Sequence, residues 1–328
     1  MNDEKIDLVY TWVDDTDKVW LEKRKKYVSN YILEKESNDN CRFSNYDELK
    51  YSLRSVEKYA PWINHIFIVT AGQVPNWLDF NNPKISIVDH SEIMPEDALP
   101  TFNSLAIENC ICNIPNLSEY FIYANDDTFF VRNCNKDFFY DLDGYPICRF
   151  NYGCKHPENT QYNQLIQNAY KMIKEKFNVD FKLYPHHCID AYRKSDFIEF
   201  QKEFEKEVKN VVYSRFRTSE NFERIAYLIY ACVIKHGRLK LIKKVDVDLP
   251  FLRRIYKYLT HSWERESLYI SNTSLSIEDE LKKFNPTLIC INDTELSNNS
   301  NREASRDILD KLFSDKSSFE LGDSDAES

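Results

Sequence analysis

The run FIYANDDTFF, residues 121–130, constrains this chain more than any other stretch. Aromatic and aliphatic side chains lead up to Asn125, two carboxylates follow at Asp126 and Asp127, and two phenylalanines close the segment. Carboxylates beside a buried strand are costly unless they are paired or bind a cation. An Asp-Asp turn closing a hairpin would carry the same letters. The reading that gives the acids a task is a divalent cation, Mg²⁺ or Mn²⁺, held against a nucleotide's phosphates.

The first half of the chain supplies a frame for such a site. Residues 6–13 (IDLVYTWV), 66–70 (IFIVT), 85–89 and 121–124 are rich in β-branched and aromatic residues and read as buried strands. Helical patterns stand between them. Residues 18–36 are charged, with Trp20, Leu21, Tyr27 and Ile32 as apolar contacts, and 37–44 form a polar loop. Residues 47–59 place Leu49, Leu53 and Val56 on one face and stop at Pro61. A third helix opens after Pro100, capped at Thr101 or Asn103, and runs through Glu108. This alternation predicts an α/β fold with a mostly parallel sheet. Ligands of open α/β sheets bind beyond the carboxyl ends of the strands, where Asp14, Asp15 and Asp17 follow the first strand. An Asx turn accounts for those acids equally well.

The second half changes character. Residues 163–177 and 195–211 read as helices, and 222–236 as a buried apolar helix too short to cross a bilayer. The division expected is an α/β core over 1–150, a mainly helical subdomain covering the site over 151–297, and a polar acidic tail over 298–328. Disorder is expected from Ser314 onward.

Composition removes several function classes. With 5 glycines in 328 residues, neither a P-loop nor a G-x-G-x-x-G fingerprint is present. A formal net charge of -10 argues against a nucleic-acid partner. The 9 cysteines lack paired C-x-x-C spacing, and the amino terminus reads as no export signal, so reduced thiols in the cytoplasm are expected. No apolar run is long enough for a membrane span, which leaves peripheral membrane association open.

Other chemistry-bearing groups are Arg54, the segment 103–108, YPHHCID at 184–190, Arg215 with Arg217 and Glu220, and ICIND at 289–293. Arginine forks suit phosphoryl oxygens, and histidine can take a proton from a hydroxyl. That inventory suits transfer of a phosphorylated group. A satisfied loop pair explains His186-His187 as simply, and solvation explains Arg215 and Arg217. His65 and His90 read as structural.

Taken in order, these segments resemble the Stealth proteins, bacterial sugar-1-phosphate transferases of surface-polysaccharide synthesis. Their animal relatives include the catalytic subunits of the lysosomal-enzyme N-acetylglucosamine-1-phosphotransferase. IDLVYTWVDDTD is similar to the first family block, with Asp15 standing where a Gly is usual. DELKYSLRSVEKYAPWINHIFIVTAGQVPNWL, LPTFNSLAIE and LSEYFIYANDDTFF resemble the second, YPHHCID with FRTSENF the third, and ICIND the fourth. The resemblance implies a nucleotide-sugar-binding sheet of GT-A or Rossmann-like type. It also implies transfer of a hexose 1-phosphate from an NDP-sugar, most often a UDP-sugar, to a sugar hydroxyl, with the nucleoside monophosphate leaving. The acceptor would be a glycan or a lipid-linked oligosaccharide. Asp14 and Asp17, with Arg54, would contact the nucleotide, while Asp126 and Asp127 would hold the cation. Glu108, Asp127, His187 and Arg217 take the catalytic positions, with His187 as base and His186 one register away. A conventional glycosyltransferase releasing UDP, or a non-catalytic carbohydrate-binding protein, are the alternatives.

Overall fold

A computed structural model describes residues 3–28, 42–152, 160–237, 240–243, 266–274 and 277–322. Its central sheet has the order β3-β2-β1-β4-β8. These strands are β1 (Ile6–Thr11), β2 (Ile66–Thr70), β3 (Ile85–Asp89), β4 (Tyr120–Asn125) and β8 (Asp190–Arg193). The first four run parallel, and β8 joins β4 antiparallel, with Tyr123 opposite Asp190. β1 and β2 are buried along nearly their whole length, as expected of parallel strands covered on both faces. The register sets Thr11 beside Asn125, so the acids after β1 and after β4 leave the sheet at the same edge.

One face is covered by the Glu48–Tyr59 helix, which buries Leu49, Leu53 and Val56 as the spacing predicts. The other face is covered by the Gln161–Phe177, Lys194–Glu203 and Glu205–Val212 helices and the apolar segment after them. The helix expected over 195–211 breaks in two at buried Phe204, whose ψ of 37 is not helical. The 222–236 segment is α-helical only over Ile225–Leu228 and continues as a π-helix over Ile229–Lys235. The 18–36 helix is described as Lys18–Val28; its remainder and most of the 37–44 loop lie outside the described residues.

The boundary expected near residue 150 is corrected by strand pairing. β5 (Thr128–Phe130), from the first half, forms a sheet with β10 (Ser267–Ser271) and β11 (Leu288–Asn292). β8, from the second half, completes the central sheet. A third sheet joins β6 (Arg149–Tyr152), β7 (Tyr184–Pro185) and β9 (Lys240–Lys243). Backbone hydrogen bonding therefore ties the halves together, and 151–297 is not a separate helical unit.

The expectation of disorder from Ser314 is likewise corrected as far as residue 322. After the Asn299–Leu312 helix, Phe313 stacks on Phe129 at 5.9 Å and Phe319 enters the core beneath the sheet. Asp79 N donates to Phe319 O at 2.8 Å and Leu321 N to Trp77 O at 2.9 Å. A few aromatic anchors filling pockets built elsewhere outweigh the polar composition around them. Among the described residues, no helix is long and apolar enough to cross a membrane.

Candidate active site

Asp126 and Asp127 form the turn between β4 and β5, strands of two different sheets, so no hairpin is present. Ile291 N of β11 donates to Asp127 O at 3.0 Å, which fixes the turn from the far end of the chain. The Cys290 thiol donates to Asp127 Oδ2 at 3.3 Å. Asp127 Oδ1 is enclosed and has no hydrogen-bond partner. Burial raises both carboxyls to about 7, with each other's charge adding for Asp126 and Glu48 adding for Asp127. Glu48 is pushed up further, to about 8, by burial and by Asp126 and Asp293. A group of acids held in this state is electrostatically strained by its own charge. An enclosed carboxylate oxygen lacking a donor, among other carboxylates, fits an oxygen-liganded divalent cation.

His187 meets this acidic turn from the second half. The YPHHCID run is stretched between β7, paired to β6, and β8, paired to β4. That brings a ring nitrogen of His187, an oxygen of Asp127 and Cys290 Sγ within 4.8 Å of one another. Tyr162 and Tyr269 present edge contacts to the His187 ring, with centroids 6.5 and 5.6 Å away. His186 is buried, and its backbone N–H donates to Arg149 O at 3.0 Å. The structure thus distinguishes the two adjacent histidines by place.

Glu108 and Arg217 lie deeper. Asn103 caps the Ser104–Glu108 helix by accepting from Leu105 N, and Arg217 donates to Ser104 Oγ on the same helix. Burial raises Glu108 to about 7 against the opposing pull of Arg224 and Arg217. Burial lowers Arg217 to about 10, with Arg42 adding like charge. Arg224 lies over the ring of Tyr123 of β4, with its Nε 3.2 Å from Asp190 Oδ2 and 3.8 Å from Glu223 Oε1. Its guanidinium also donates to Cys188 O at 3.3 Å. Asp190, Glu223 and Glu108 all face this one arginine, which is held firmly in its charged form. Arg224 therefore clamps the backbone one residue beyond His187.

The acids after β1 have local tasks. Asp14 Oδ1 accepts from Thr16 N at 2.9 Å and Thr16 Oγ1 at 2.7 Å, closing an Asx turn. Asp17 Oδ1 accepts from Val19 N at 2.8 Å and caps the Lys18–Val28 helix, while Oδ2 accepts from Gln73 at 3.1 Å. Asp15 accepts from the Ser44 side chain and feels the Arg302 charge. Arg302 in turn binds Asp293 Oδ2 at 2.9 Å, so ICIND is anchored at the same edge. The expectation for Arg54 is corrected. Its Nε and a terminal nitrogen each lie 2.7 Å from the Glu320 carboxylate, and a third nitrogen donates to Phe313 O at 2.8 Å. The guanidinium is committed to pinning the carboxy-terminal segment, not to a nucleotide.

Sequence reasoning missed Glu48, Arg224, Asp190 and Cys290. Glu48 has the letters of an ordinary first-turn helix acid. Asp190 and Cys290 stood inside runs already singled out, but only strand pairing shows what they face.

The description Stealth protein CR1, conserved region 1, matches residues 4–32, and Stealth protein CR2, conserved region 2, matches residues 42–147. The capsular polysaccharide phosphotransferase fcs1 of Haemophilus influenzae is 31% identical over 304 residues, 90% of this chain and 79% of that protein. The capsular polysaccharide phosphotransferase SacB of Neisseria meningitidis serogroup A is 33% identical over 96% of this chain and 57% of its own length. The exopolysaccharide phosphotransferase cps2G of Lactiplantibacillus plantarum is 45% identical over 53% of this chain. The chain spans 50% of the length of cps2G. Among solved structures, the galactosyltransferase LgtC, with donor and acceptor sugar analogues, aligns over 97% of this chain at 9% identity and a TM-score of 0.44.

Proposed function

This chain belongs to the Stealth family, and from that premise we propose that it transfers a hexose 1-phosphate from a UDP-sugar to a hydroxyl of a capsular or other cell-surface glycan, releasing UMP. The observation that carries the reading is the meeting of His187 with Asp127, which come from opposite halves of the chain and lie at the carboxyl edge of the parallel sheet. A nucleotide-sugar placed there has its diphosphate next to the acids after β4.

The reaction forms one P–O bond and breaks another. The acceptor oxygen attacks the phosphorus bearing the sugar, and the bridging oxygen leaves with UMP. His187, its ring edge-on to two tyrosines, takes the acceptor's proton. Arg217 donates to the oxygens of the transferred phosphoryl group, where charge is spread in the transition state. Glu108, beside Arg217 and Arg224, orients that guanidinium. Asp126 and Asp127, with Glu48, would hold a Mg²⁺ or Mn²⁺ ion, which supplies charge neutralisation at the diphosphate. Asp14 and Asp17 act by shaping the turn against which the uridine lies. The acceptor is a glycan, and where it is lipid-linked the protein works in the cytoplasm against the inner membrane surface.

The measurement is the identity of the leaving nucleotide. Full-length protein incubated with UDP-glucose, UDP-galactose, UDP-N-acetylglucosamine or UDP-N-acetylgalactosamine, Mn²⁺ and capsular oligosaccharide is expected to form UMP with transfer. Release of UDP instead assigns cleavage at the anomeric carbon and overturns the proposal.

A further inference from the structure

Cys290 has no part in the chemistry above, yet its thiol lies beside Asp127 and His187. We propose that Asp127, His187 and Cys290 form a seat for a soft transition-metal dication, Zn²⁺, whose occupation shuts the transfer site. The three side chains offer one oxygen, one nitrogen and one sulfur, with donor atoms within 4.8 Å of one another. Magnesium takes oxygen ligands in octahedral sites, whereas thiolate and imidazole select zinc in a tetrahedral one. Three protein ligands leave the fourth tetrahedral position for water or a phosphate oxygen.

The seat is pre-shaped by elements that cannot easily shift. Cys290 is fully buried in the middle strand of its sheet, opposite Thr128 on one side and Tyr269 on the other. Asp127 immediately precedes β5 of that sheet, and the His187 ring is confined by Tyr162 and Tyr269. Independently of the cysteine, Asp127 Oδ1 is an enclosed acceptor without a hydrogen-bond partner. Asp126 and Glu48 add negative charge nearby, with Arg224 opposing. Binding exchanges the thiol proton for the metal, the proton passes to solvent, and no oxidant is involved. With its lone pair on zinc, His187 no longer accepts a proton; this inhibitory consequence rests on the proposed base role, whereas binding does not.

Cobalt(II) is the probe, because thiolate ligation gives a near-ultraviolet charge-transfer band and tetrahedral geometry gives visible bands. Titrating cation-stripped full-length protein with CoCl₂ is expected to produce both at one equivalent, bleached by Zn²⁺. Cys290→Ser removes the charge-transfer band, and Asp127→Asn, which keeps the thiol in place, weakens cobalt binding by roughly 10- to 100-fold or more. Thermal melts of both variants confirm folding. A wild-type protein without the charge-transfer band, or a band that survives Cys290→Ser, overturns the site. In the transfer assay with excess Mg²⁺, Zn²⁺ inhibits the wild type, while Cys290→Ser keeps its own zinc-free rate at the same concentration. Cobalt binding without zinc inhibition removes His187 as base and leaves the metal seat; intact transfer without cobalt binding does the reverse.

Discussion

Replacing Arg54 by alanine tests whether this residue serves the carboxy-terminal segment or the nucleotide. Its side chain is 9% exposed and that of Glu320 4%, so the substitution strands a buried carboxylate. Breaking a buried pair from one side costs about 3–5 kcal/mol. Ser317 N and Oγ still donate to Glu320 Oε1 at 2.8 and 3.1 Å, and Lys50 Nζ stands 3.9 Å away, which places the cost near the lower limit. Undocking of the segment caps it as well, because Glu320 then regains water at the expense of burying Phe319, worth roughly 1.5–3 kcal/mol. The expected loss is therefore about 3 kcal/mol, or roughly 100-fold in the docking equilibrium. Hydrogen exchange reads it directly: the Asp79 and Leu321 amides, bonded to Phe319 O and Trp77 O, should exchange about 100-fold faster. Limited proteolysis should cut within residues 313–322. Because the pair holds the Glu320 carboxyl below its usual 4.5, its contribution is present above that value and is lost as pH falls through the lowered one. A double Arg54→Met, Glu320→Met variant should recover most of the loss. If Arg54→Ala leaves both amides protected but abolishes UDP-sugar binding, the pinning role is wrong and the nucleotide role stands.

His187→Ala should cut UMP-forming transfer by about 10²- to 10⁴-fold, as loss of a general base does; near wild-type turnover would move the base elsewhere, with His186→Ala as the paired control. Asp126→Asn should abolish transfer yet raise the melting temperature of cation-free protein at pH 8. The sign follows from a carboxyl lifted from 3.8 to about 7: its ionised form costs the folded state increasingly between those values and fully above them. Added Mn²⁺ should accordingly stabilise the wild type more at pH 8 than at pH 5, and equal shifts would remove Asp126 from the cation site. Arg217→Lys should lower kcat rather than raise KM, since a lysine keeps the charge but not the planar fork.

Much of the central sheet was legible because its strands announce themselves locally. IFIVT and ISIVD are five-residue runs rich in β-branched residues between turns, and β2 and β3 match the residues expected for them. The 47–59 helix and the Asn103 cap follow from spacing and side-chain chemistry in the same way. What the sequence concealed depends on distant partners. β5 is three residues long and finds β11 some 160 positions later, so no local pattern foretells that Asp127 leads into a second sheet. The docked carboxy-terminal segment was hidden by composition: Phe313 and Phe319 stand among polar residues, and the clusters they join draw residues from both halves of the chain. Arg54 was misassigned for the same reason, its partner lying 266 residues away.

These long-range pairings also decide how the site is built. A self-contained nucleotide-binding half would hold Asp126 and Asp127 by itself, with the second half adding His187 and Arg217 as a lid. The register excludes that arrangement, because the turn bearing the acids is held by Ile291 N and leads into a strand that is paired to β11. β4 has β8 as its outer neighbour, so removing the second half would also bare an edge on the main sheet. Acids lifted to about 7 destabilise the folded state as pH rises, and β11 holds their turn through Ile291 N and the Cys290 thiol. A chain ending before residue 266 should therefore lose the turn along with the sheet beneath it. Its expected behaviour is aggregation on expression and no UDP-sugar binding, read by gel filtration and calorimetry. A soluble, UDP-sugar-binding fragment of residues 1–150 would show instead that the first half folds alone and that the second is an appended cover.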